Sequence, residues 1–146
     1  MKLDFINHSK HSMQKSYLTK ASVLLSRELS RRNVKNKALL KQDLVIVFLN
    51  KKEAQKINLE YRSKNYATDV LSFSGTDQSL GELVMCPEIL KKQAKQNNHN
   101  LRTEILYMFI HGVLHLLGYD HEKSKSEAYK MFKIQDEVFE KIKKPR

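Results

Sequence analysis

His111-Gly-Val-Leu-His115-Leu-Leu-Gly118-Tyr-Asp-His121 is the stretch whose reading decides the fold and the chemistry of this chain. Upstream of it, Ile105, Phe109, Gly112 and Leu116 recur at helical spacing from Leu101, which predicts a strong helix ending near Gly118. Residues four apart on a helix stand one above the other, so His111 and His115 present two imidazoles to a single ion. His121 is ten residues beyond His111, and on an uninterrupted helix it would lie about 15 Å along the axis, out of reach. The chain must therefore turn back. Gly118 tolerates the left-handed cap conformation that allows this turn, and the turn swings His121 beneath the helix. Three imidazoles with one position left open describe a catalytic zinc site, because a structural site is closed by four protein ligands. The same nitrogens also admit nickel, copper or iron.

Outward from this helix the pattern is mixed. Leu3 to Asn7 reads as a short strand, and Leu18, Ala21, Leu25 and Leu29 as a helix that ends in the polar run Ser30 to Lys37. Leu44 to Leu49 is apolar on both faces, which suits a central strand covered on each side. Asn50 with Glu53 starts a short helix whose expected buried stripe is Ala54, Ile57 and Tyr61, with Arg62 just past it. Asp69 to Ser74 and Leu80 to Cys86 predict a strand pair joined by the loop Gly75-Thr-Asp-Gln-Ser, and Pro87 suits the first turn of a helix. Ser124 with Glu127 opens a last helix carried by Ala128, Met131, Gln135, Val138 and Ile142. The order points to an α+β fold: a small mixed four-stranded sheet packed with about five helices, in one domain spanning residues 1–146.

Composition agrees with one globular core, since 40% of residues are hydrophobic and only four are glycine and two proline. Folding at this length buries about 70% of the unfolded surface. The formal charge is +11, and it is uneven: residues 1–66 carry 15 basic and 5 acidic side chains, residues 67–146 carry 12 and 11. A one-sided positive field attracts polyanions, of which RNA and DNA are the commonest in a cell. The single cysteine, Cys86, excludes an internal disulfide. No apolar run approaches the ~20 residues of a membrane span, and none follows the first residues as a signal peptide would require, so a cytoplasmic protein with no membrane partner is expected.

Two carboxylates are candidates to hold a ligand ring by accepting its second N–H: Glu104, which continues the His111 stripe, and Asp120, which adjoins His121. A surface ion pair is the ordinary alternative for each. His8, His11 and His99 lack any ligand spacing. The His-x3-His-x2-Gly-x2-His pattern is also that of metzincin peptidases, where a Glu after the first histidine is the general base. Here Gly112 stands in that place, and a glycine cannot accept a proton. The helix is metzincin-like in its metal cage and lacks the peptidase base.

The histidine run, together with Leu59-Glu-Tyr-Arg62 and Thr68-Asp-Val-Leu-Ser-Phe73, resembles the YbeY family of bacterial metal-dependent endoribonucleases. The similarity runs from Asp4-Phe-Ile-Asn7 to the final helix. Ala67 replaces a proline usual in the family, and Gly81-Glu82-Leu83 stands where Gly-Asp-Ile is common; Glu82 keeps the charge. The resemblance implies single-strand-selective RNA cleavage and maturation of the 3′ end of small-subunit (16S) ribosomal RNA. It further implies a part in ribosome quality control, with a ribosomal protein and an Era-type GTPase among the partners.

It also implies a functional role for Arg62. A guanidinium holds two non-bridging phosphate oxygens in a fork that lysine cannot match, so Arg62 is the expected catalytic and substrate-binding residue; capping its own helix is the alternative. The expected cofactor is one Zn2+ on His111, His115 and His121, supplying Lewis acidity toward water and phosphate. Two other readings are a ribosome-associated zinc-binding assembly factor with little activity, and a zinc peptidase, which Gly112 disfavours.

Overall fold

The computed structural model describes residues 1–76 and 78–143; Asp77, in the loop expected between two strands, lies outside the described residues. In chain order the elements are β1 (Leu3–Asn7), α1 (Lys15–Ser30), a 3-10 helix (Lys37–Lys41), β2 (Asp43–Phe48), α2 (Lys51–Arg62), β3 (Val70–Ser74) and β4 (Ser79–Met85), then α3 (Pro87–Gln96), α4 (Leu101–Leu116) and α5 (Lys125–Ile142). The short 3-10 helix was not expected from the sequence. Its Leu40 is buried in the main core with Leu39 packed beside it, but five residues are too few for an apolar period to show.

The strands order as β1-β2-β4-β3, with β1, β2 and β4 parallel and β3 antiparallel to β4, so the sheet is mixed. β2 is an inner strand because its alternate residues find cover: Leu44, Ile46 and Phe48 are fully buried against the helical layer. That layer is drawn from α1, α4 and α5, whose Leu18, Leu25, Phe109, Val113, Met131 and Val138 share the main core. Each such fully buried chain contributes about 1.5–3 kcal/mol through removal from water. The other face of the sheet is thinner. There Leu49, Leu71, Val84 and Cys86 meet Ala54 of α2, while Val45 and Val47 stay half-buried, so β2 is covered less completely on this side than its sequence suggests.

Local signals account for the ends of the helices. The side chains of Asn50, Asn100 and Ser124 accept from the backbone N–H groups of Glu53 (2.9 Å), Thr103 (2.8 Å) and Glu127 (3.1 Å), each satisfying a donor that a helix start leaves free. Pro87 opens α3. One expectation fails on α2: its buried residues are Ala54 and Asn58, whereas Tyr61 is 63% exposed. The helix meets the sheet through Ala54 and Ile57, and Tyr61 lies beyond them with its ring edge-on to Phe73, ring centres 5.2 Å apart.

Two features place α4 for its task. Gly112 lets the helix sit close on the sheet, since a Cβ there would fall 2.6 Å from Leu83 Cδ2 of β4. At the far end Gly118 adopts φ +108°, the left-handed region that side chains avoid, and the chain reverses. Asn36 Nδ2 donates to the Leu117 carbonyl at 2.7 Å, occupying an acceptor that the end of the helix exposes.

Candidate metal centre

The reversal at Gly118 brings His121 under α4. Among the described residues His111, His115 and His121 form a group whose ring nitrogens all lie within 4.8 Å of one another. His115 Nε2 and His121 Nδ1 stand 3.1 Å apart. Ligands held tetrahedrally at zinc–nitrogen distances of about 2.0–2.1 Å are separated by roughly 3.3 Å, so this spacing suits a small divalent ion.

Protonation suits it as well. Burial depresses the pKa of His111, against an opposing pull from its bond to Gln135. Burial, and then the neighbouring His111 and His121, lower His115 to about 4. Rings that stay neutral offer lone pairs, which is the form a metal takes.

The partner of His111 is one the sequence reading missed. Gln135, wholly buried on α5, places Oε1 2.8 Å from His111 Nδ1. Its Nε2 faces the Tyr107 carbonyl at 3.5 Å, and a carbonyl only accepts, so the amide nitrogen belongs on that side and the oxygen on the histidine side. Nδ1 then carries the proton and Nε2 is left free for a ligand. A signal existed: a glutamine inside an otherwise apolar helical stripe.

The two carboxylates do otherwise. Glu104 is buried, 1% exposed, and is neither a surface ion pair nor a partner of His111. It sits two turns before that histidine and binds His99 Nδ1 at 2.9 Å and Asn97 Nδ2 at 3.3 Å, groups that follow α3 and reach it first. Asp120 accepts from the backbone of Glu122 at 2.9 Å and so shapes the turn.

The cluster opens into a cavity of about 720 Å³ lined by the three histidines, Arg62, Asp69 and Ser72, among others. Arg62 reaches this cavity from the end of α2, with Nη2 3.3 Å from Glu122 Oε1. Glu122 Oε1 lies in turn 3.8 Å from His121 Nε2. Phe132 of α5 closes the side, its ring centre 5.9 Å from that of His111 and 5.5 Å from that of His121. Neither Glu122 nor Phe132 carries a spacing signal in the sequence. His8 and His11 lie outside the cluster, as expected.

A mixed-sheet α+β protein whose histidine triad opens beside an arginine has the makings of a metallohydrolase for an anionic substrate. The family model described as Endoribonuclease YbeY matches residues 4–143. A protein of that name from Bdellovibrio bacteriovorus is 50% identical over 145 residues, 99% of this chain and 97% of its own length. Another from Persephonella marina is 37% identical over 139 residues, covering 90% and 86%. The solution structure of TM1509 from Thermotoga maritima superposes with a TM-score of 0.65 at 26% identity, over 94% of this chain and 87% of that one. The chain belongs to the YbeY endoribonuclease family, and it is an RNA-cutting hydrolase.

Proposed function

We propose that this protein is a single-strand-specific, metal-dependent endoribonuclease whose one domain, residues 1–146, holds Zn2+ on His111, His115 and His121. The observation that carries the reading is that three imidazoles and the Arg62 guanidinium meet in one cavity. A bound divalent ion supplies Lewis acidity there. Gln135 holds the His111 tautomer, Gly112 lets α4 approach the sheet, and Arg62 takes the non-bridging oxygens of the scissile phosphate. Because charge grows on those oxygens as the bond breaks, the guanidinium stabilises the transition state more than the ground state. Gly112 leaves no carboxylate where a peptidase of similar spacing has its base, so peptide hydrolysis is disfavoured.

The substrate proposed is ribosomal RNA, cut in maturation of the 3′ end of the 16S species and in ribosome quality control. A ribosomal protein and an Era-type GTPase are the proposed partners, and the cytoplasm the proposed compartment. Among the described residues no helix is long and apolar enough to cross a membrane. Cutting of a single-stranded RNA that stops on chelation and returns with zinc tests the reading. Stoichiometric zinc without cutting would favour a ribosome-associated binding factor instead.

A further inference from the structure

Tyr61 and Tyr66 line the same cavity as the histidines and Arg62, yet they are 63% and 55% exposed. Large aromatic rings left in water at the mouth of a site call for a partner. These two are also held in place. Ser63 caps α2 in the left-handed conformation (φ +57°), with Ser63 N–H bonding the Leu59 carbonyl and Lys64 N–H the Asn58 carbonyl. The chain after this cap is tied back to the helix. Asn58, itself buried, donates to the Tyr66 carbonyl at 2.8 Å, and Gln55 donates to Asn65 Oδ1 at 2.9 Å. The backbone beneath Tyr66 is thus ordered while its ring stays free. Tyr61 is steadied by the edge of its contact with Phe73, at an interplanar angle of 75°.

Resting on the endoribonuclease reading, we infer that Tyr61 and Tyr66 form a stacking platform for unpaired RNA bases beside the scissile phosphate, and that this platform carries the preference for single strands. The occupant is indicated by charge: Arg62 and Lys64 lie between the two tyrosines in sequence and line the same cavity. A strand whose phosphates lie on those cations brings its bases within reach of the rings. Only an unpaired base can leave its neighbours and lay its face on a tyrosine, so a duplex gains nothing from the platform. Rings carried on a backbone already held in place bind without the entropy cost of fixing a loop.

The test is single-turnover cleavage at a series of protein concentrations, with a short single-stranded RNA and the same sequence in a duplex. Metal content and urea midpoint are checked for each variant. Tyr61→Ala and Tyr66→Ala are expected to raise the half-saturating concentration for the single strand by about 5-fold to 100-fold each, with the maximal rate and the duplex reaction little changed. Tyr66→Trp should bind as the parent does. Tyr129, a 67% exposed tyrosine on α5 that does not line this cavity, is the control, and Tyr129→Ala should leave the half-saturating concentration unaltered. Half-saturation within about twofold of the parent in both cavity variants would overturn the platform and leave the rings to a protein partner. Equal losses for single strand and duplex, or equal losses in Tyr129→Ala, would overturn it too. A parent protein that cuts no RNA would remove the endoribonuclease reading itself, a different failure.

Discussion

Gln135 of α5 and His111 of α4 meet in the buried interior with Oε1 2.8 Å from Nδ1, and this bond joins the last helix to the histidine cluster. It orients one ring of the triad. Gln135→Leu keeps the bulk and removes the acceptor, so the His111 tautomer is no longer held. Metal affinity is expected to fall about 10–100-fold, as measured by competition with a chromophoric chelator. Affinity equal to the parent's would show that the glutamine only fills the core.

Gly112 makes a second, steric claim. A methyl group there meets Leu83 Cδ2 at 2.6 Å where both residues are buried, so Gly112→Ala should destabilise the fold by about 1–3 kcal/mol in urea denaturation. An unchanged midpoint would mean that Leu83 gives way freely and that the glycine does not set the approach of α4 to β4.

Arg62 separates clamping from capping. If it holds the phosphate, Arg62→Ala and Arg62→Lys both retain metal and fold while the single-turnover rate drops about 10²–10³-fold, because lysine lacks the planar fork. If it serves only the end of α2 or the 3.3 Å contact with Glu122, both variants cleave near the parental rate.

Those three residues also mark how far the sequence could be read. Elements signalled within a few positions were legible: the apolar run Leu44 to Leu49 as a strand, though not how unevenly its two faces are covered, the caps at Asn50 and Ser124, Pro87 at the start of α3, and the turn at Gly118. The triad was legible for the same reason, since helical spacing and one glycine determine which nitrogens meet. Gln135 was read as a stripe residue but not as the partner of His111, because the bond spans 24 positions and depends on how α5 crosses α4. Glu104 lies on the expected face of α4, but His99 and Asn97 claim it, and no periodicity reports a neighbour arriving from another helix. Tyr61 has the spacing of a buried residue on a helix that meets the sheet through Ala54 and Ile57 and leaves it uncovered.

The central claim is that the three histidines hold a divalent ion on which RNA cutting depends. Its most direct test is elemental analysis and single-stranded RNA cleavage on one preparation of the parent and of His115→Ala, purified without a histidine tag or added metal. The expected result is one divalent ion per parent chain with cutting that chelation abolishes, and neither bound metal nor cutting in the variant. Full metal content in His115→Ala, or cutting that survives both chelation and the substitution, would contradict the account.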